Sequence, residues 1–269
     1  MIACLPARGL AWDAATHRMI TRLAVAALPP GPLHNALAVN LNRIEYFSIE
    51  PDLLRERGDK AEGHRHFIDL EYFGSDPIAA LDPNYAVMVN RFGTRRLRKA
   101  GVLPWAIEQE ADLMATGLRD RDCASMLQAA GFLSHYVGDA SQPLHTTEHY
   151  DGYSEDRGVH ARLERTADLN VAELQRSAAP RIRLEKIASV WTPVIAELRQ
   201  SNALIPELIT ADRQARSQAG SSWQLSQILM REDQQWITNQ VADAASTAAS
   251  IWQFEWERAG KPPVCIANQ

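Results

Sequence analysis

Apolar residues near the start of the chain recur at helical rather than strand spacing. From His17 to Leu28 they fall at Met19, Ile20, Leu23, Val25, Ala26 and Ala27, and the run stops at Pro29 and Pro30 with Gly31 behind them. A second short helix is expected from Leu33 to about Phe47, with Asp52 in the loop that follows. Residues 55–65, RERGDKAEGHR, read as a polar loop, after which HFIDLEY seats His66 beside Phe67 and Ile68. Asp76 and Pro77 make an N-cap and N1 pair that opens a helix through Phe92, and Pro104 opens another toward Met114. Val159 to Ala179, Ile182 to Leu198 and Trp223 to Arg258 continue the helical period, the last entered through a Gly-Ser turn at 220–222. Strand signals are few, so the expected fold class is all-α. Trp236, Trp252, Phe254 and Trp256 are expected in the core or between helices.

Composition narrows the picture without deciding it. A chain of 269 residues with 46% apolar content can bury one large core, and a single domain over 12–269 is expected. No run of about 20 apolar residues occurs, which argues against a transmembrane segment. A net charge of -5 disfavours broad attraction to nucleic acid, although bound metal can recruit phosphate locally. There is no internal repeat, glycine-rich phosphate loop or nucleophile elbow. Of the three cysteines, Cys4 lies in the N-terminal stub, and Cys123 and Cys265 are left as a disulfide pair or two separate thiols.

The segment 134–164, SHYVGDASQPLHTTEHYDGYSEDRGVHARLE, carries the chemistry. On a helix His135 and Asp139 lie one turn apart on one face, as do His160 and Glu164, so each pair offers two ligands. Pro143 cannot continue the first helix, which leaves His145 on a turn pointing back toward the same place. One His/Asp pair alone is more often a hydrogen bond than a metal site. Two pairs joined by a Pro-bounded turn with a further His are much harder to obtain by chance. Imidazole and carboxylate donors without a nearby thiol suit zinc better than calcium or an iron-sulfur cluster.

These spacings resemble the signature of the zinc-dependent phospholipase C and single-strand-specific nuclease superfamily: His, three residues, Asp, five residues, His, and later His, three residues, Asp or Glu. Upstream, Trp12, His17, Asp52 and His66 match the remaining positions of that pattern, His66 falling fourteen residues after Asp52. The resemblance covers positions 12–164 and implies three zinc ions. Asp52, His66, His135 and Asp139 would hold the first, His145, His160 and Glu164 the second, and Trp12 and His17 the third, with Asp139 bridging. It also implies that the amine and carbonyl of Trp12 are ligands, so that Trp12 would begin the mature chain. Gly9 and Ala11 are small residues where a signal peptidase requires them, and residues 1–11 are read as a signal-peptide remnant of a secreted or periplasmic protein.

The activity so implied is hydrolysis of a phosphodiester by a metal-activated water, with Asp52 and Asp139 as the catalytic carboxylates. The substrate is expected to be a phospholipid, or else a single-stranded nucleic acid or nucleotide. The short interval between His145 and His160 and the final Glu164 resemble phospholipases, whereas HFID and Arg55, a candidate phosphate contact, resemble the nucleases. A zinc-stabilised binding protein is the non-catalytic alternative. Glu148 and His149 are weaker candidates, and His64 and His34 are expected to be loop or surface histidines.

Overall fold

A computed structural model describes residues 12–264. The stub 1–11 and Cys265 lie outside the described residues. The chain opens with α1 (Ala14–Ala27), α2 (Pro32–Val39), α3 (Leu41–Phe47) and α4 (Glu50–Glu56). Three short helices follow, α5 (Pro77–Ala80), α6 (Tyr85–Phe92) and α7 (Thr94–Ala100). The central hairpin is α8 (Leu103–Asp120) and α9 (Cys123–Ser141), succeeded by α10 (Val159–Leu169) and α11 (Val171–Ala178). Last come α12 (Trp191–Ala203), α13 (Ile205–Gln218) and α14 (Ser222–Arg258). No strand occurs among the described residues, and the fold is all-α.

The core is built around α9. From Met126 to Ser141 almost every side chain of this helix is buried, as expected of a helix surrounded by others. The residue before it, Asp122, accepts from the backbone N–H groups of Ala124 and Ser125 and fixes where the helix starts. Arg121, in the left-handed conformation, turns the chain back from α8. The 37-residue α14 spans about 55 Å at 1.5 Å per residue. Its buried stripe of Ala242, Ala244, Ala245, Ala248 and Ala249 lets neighbouring helices approach closely. Trp236 and Trp252 are buried on α14, while Phe254 and Trp256 pack against the core from its edge. No described helix is long and apolar enough to cross a membrane.

Several predicted boundaries move. The helix expected over 33–47 is two, broken at Asn40, whose side-chain amide donates to the Ala36 carbonyl. Asp52 lies on α4 rather than in a loop, because Pro51 occupies the first turn of a helix, where its missing N–H costs nothing. Asp76 caps as expected, yet Asp82 and Pro83 interrupt the run before Tyr85. Asn170 divides the segment 159–179, and residues 182–190 are not helical, so α12 begins only at Trp191.

Candidate metal centre

Six parts of the fold bring the predicted donors together. The buried face of α9 presents His135 and Asp139, α1 presents His17, α4 presents Asp52, and α10 presents His160 and Glu164. His66 rides on a strap, residues 64–69, tied by backbone hydrogen bonds to the start of α8. Val102 N donates to the His64 carbonyl at 2.8 Å, and Asp69 N donates to the Ala100 carbonyl at 2.6 Å. Gly101, at φ +84°, makes this docking possible, since a Cβ there would stand 2.0 Å from the Phe67 carbonyl oxygen. His145 sits on the 3-10 turn Pro143–Thr146, started when the Gln142 side chain accepts from Leu144 N. Ion pairs of Asp156 and Asp212 with Arg213, Arg216 and Arg162 clamp the approach to α10.

All eight of these side chains are buried, and their donor atoms form three adjoining groups that could each hold a metal ion: His17, His135 and Asp139; Asp52, His66 and His135; His145, His160 and Glu164. Asp139 stands at their junction. Its Oδ2 is 3.0 Å from His66 Nδ1 and 3.3 Å from His135 Nε2, while Oδ1 is 3.5 Å from His17 Nε2 and 3.8 Å from His145 Nδ1. In the third group Glu164 Oε1 is 2.5 Å from His160 Nε2 and 3.7 Å from His145 Nε2. Trp12 is fully buried, and its indole N–H donates to Ser141 Oγ, two residues beyond Asp139.

Ring orientations are fixed from behind. His135 Nδ1 lies 2.8 Å from the Ser48 carbonyl, His145 Nδ1 2.5 Å from that of His66, and His160 Nδ1 3.2 Å from that of Tyr150. A carbonyl only accepts, so each Nδ1 carries the proton and each Nε2 turns its lone pair into the cluster. Both ring nitrogens of His17 and Oδ1 of Asp139 are buried without a hydrogen bond. Buried polar atoms are rarely left so, and this donor chemistry fits a divalent cation.

Electrostatics agree with a cluster of carboxylates held ionised. Burial alone would raise Asp139, but His135 and His145 outweigh it and hold the acid well below its ordinary value. Glu164 is likewise lowered, burial being overcome by His160 and His145. Burial lowers His135. His66 resists the same effect, because Asp139 and Glu62 raise it to about 9.

Two buried residues beside the donors were not read from sequence. Glu62 Oε1 lies 3.3 Å from His66 Nε2 and accepts from the Tyr136 hydroxyl, backing the strap histidine on its far side. Gln142 Nε2 donates to Glu164 Oε1 at 2.9 Å. The spacing Glu62–His66 is one helical turn and was visible, but it fell in a stretch with the composition of a solvated loop. Arg55 Nη2 stands 2.8 Å from Asp52 Oδ1. A cleft of about 690 Å³ opens beside His66, His145 and His160, and Arg55 and His64 line it. Glu148 also lines it, whereas His149 packs on the Tyr153 ring.

Fold and site together define an all-α protein with three adjoining buried donor groups, two of which reach one cleft through His66, His145 and His160. Two solved structures share the fold. The alpha-toxin of Clostridium perfringens from avian strain SWCP aligns over 94% of this chain with a TM-score of 0.58 and 16% identity. The alpha toxin of Clostridium absonum aligns over 93% with a TM-score of 0.56 and 15% identity. This chain spans 66% of the length of each toxin chain, and at such identity the likeness is one of fold. A probable serine protease of Bradyrhizobium tropiciagri is 44% identical over 63 residues, which is 22% of this chain and 8% of that protein. No family model matches the sequence.

Proposed function

We propose that this chain is a zinc-dependent hydrolase of phosphodiesters with phospholipase C-like activity. The observation that carries the reading is the set of three histidines, His135, His145 and His160, each anchored through Nδ1 to a backbone carbonyl and aimed through Nε2 at buried carboxylates. The motif spacing and the fold shared with the alpha-toxins support it. Asp52, His66, His135 and Asp139 would hold one zinc and His145, His160 and Glu164 a second. His17 and Asp139 would hold a third, joined by the amine and carbonyl of Trp12 if that residue begins the mature chain.

Bound zinc supplies Lewis acidity toward a phosphoryl oxygen and lowers the pKa of water. The chain's own residues do the rest. Asp139, between the donor groups, keeps their charges balanced. Asp52 lies behind Arg55, which lines the cleft, and its carboxylate would accept the proton of the attacking water. Arg55, already 2.8 Å from that carboxylate, steadies it and offers a guanidinium to the phosphate. Asp52→Asn keeps an oxygen donor but loses the base. With zinc content unchanged, turnover should fall by roughly 10²- to 10⁴-fold. Unchanged turnover in a fully metallated variant removes Asp52 from that role, and no hydrolysis of any phosphodiester by the zinc-loaded parent leaves a zinc-stabilised binding protein.

The nuclease or 3'-nucleotidase reading stands second, favoured by Arg55 at the cleft. A panel of a phosphatidylcholine, single-stranded DNA and a 3'-nucleotide separates the two.

A further inference from the structure

Beyond the candidate ligands, the charged side chains lining the cleft are mostly cations. Arg55, Lys60, Arg98 and Lys99 face it, against the acids Asp69 and Glu148. Arg55 is paired with Asp52, and Lys99 interacts first with Tyr72 and more weakly with Glu148 and Asp69. Neither Lys60 nor Arg98 forms an ion pair among the described residues, and four cations line the cleft against two acids. This runs against the chain as a whole, whose net charge is -5. A cleft lined mainly by one sign of charge focuses the field and concentrates ligands of the opposite sign.

The aromatic residues point the same way. A quaternary ammonium is held by open aromatic faces and nearby negative charge. Phe67, Tyr72 and Tyr150 line the cleft, and Lys99 Nζ already lies over the Tyr72 ring, 5.0 Å from the centroid. A trimethylammonium group entering here would find the Tyr72 face taken and, even beside Phe67 or Tyr150, would meet four like charges around it. An anionic group would instead find Lys60 and Arg98 among the cations of the lining. The volume, about 690 Å³, is that of a small-molecule site.

We propose that the cleft selects phosphodiesters whose headgroup bears a negative charge in addition to the scissile phosphate, making anionic phospholipids the substrate class rather than choline lipids. The proposal rests on the phospholipase C-like reading, and the test is designed so that the two can fail separately. The zinc-loaded full chain is assayed on monomeric dihexanoyl phosphatidylserine and dihexanoyl phosphatidylcholine, which removes any effect of a charged membrane surface, and on a single-stranded oligonucleotide. The serine lipid should be preferred in kcat/KM by about tenfold or more. The double variant Lys60→Glu/Arg98→Glu should collapse that ratio to about one or below, and Lys60→Arg/Arg98→Lys should restore most of it, with zinc content and melting temperature as in the parent. Equal or reversed preference in the parent, or a ratio untouched in the double Glu variant, overturns the proposal while leaving the phospholipase reading intact. If neither lipid is cleaved and the oligonucleotide is, both are overturned and the cations belong to nucleotide phosphates.

Discussion

His17 stacks on His135, their ring centroids 4.0 Å apart and their planes inclined by 23°. One ring comes from the first helix of the fold and the other from its central helix, so the stack reports how closely α1 and α9 approach. That approach depends on Gly138. A Cβ at this position would stand 2.9 Å from His17 Nδ1 and 3.1 Å from its Cε1, closer than a packed carbon tolerates.

Gly138→Ala therefore sets two effects against each other. Helix propensity favours alanine by about 0.5 to 1 kcal/mol, whereas the added methyl drives His17 from its place. The melting temperature should change little while the chain loses about one zinc equivalent. Atomic emission on the purified variant, alongside a thermal melt, reads both, and retention of the parent's full zinc content would show that His17 is not a ligand.

Glu62 is expected to matter through His66 rather than through the substrate. Its carboxylate accepts from Tyr136 and faces His66 Nε2, fixing the ring whose Nδ1 meets Asp139. Glu62→Gln keeps the size but removes the charge, and zinc affinity should weaken by roughly 10- to 100-fold. Competition with a chelating dye measures this. An unchanged affinity would reduce Glu62 to a packing role.

The donor pairs on α9 and α10 were legible because helical spacing alone places His135 with Asp139 and His160 with Glu164, and both helices formed. His17, Asp52 and His66 were legible only through the family pattern. Nothing local to them announces a metal, and Asp52 was even placed in the wrong kind of element. Glu62 and Gln142 escaped because their burial is made by distant partners, Tyr136 for one and Glu164 for the other. Helix breaks at Asn40 and Asn170 were missed for a related reason: side-chain amides that bond back to the carbonyl four residues earlier stop a helix without disturbing its apolar period. The cationic side of the cleft is assembled from the segment around Lys60 and from Arg98 and Lys99 on α7, and no single stretch of sequence displays it.

Glu197, away from the metal centre, makes stability fall with rising pH. It is buried on α12, and burial, reinforced by Asp243 and only partly opposed by Thr247, raises it to about 8. The unfolded chain releases this proton near its model value of 4.5 while the folded chain retains it. Stability from this group is therefore complete below about pH 4.5 and is lost as pH climbs toward 8, by up to about 5 kcal/mol. Glu197→Gln should flatten that part of the profile and melt higher than the parent at pH 8. Denaturant melts of both proteins across this range check it, and parallel profiles would contradict the assignment.

Zinc stoichiometry of the full chain bears most directly on the central claim, that eight buried side chains from six parts of the fold form one polynuclear centre. After zinc loading and exhaustive dialysis against metal-free buffer, atomic emission should return three zinc ions per chain when Trp12 is the first residue. A chain that retains one zinc or none would contradict the account.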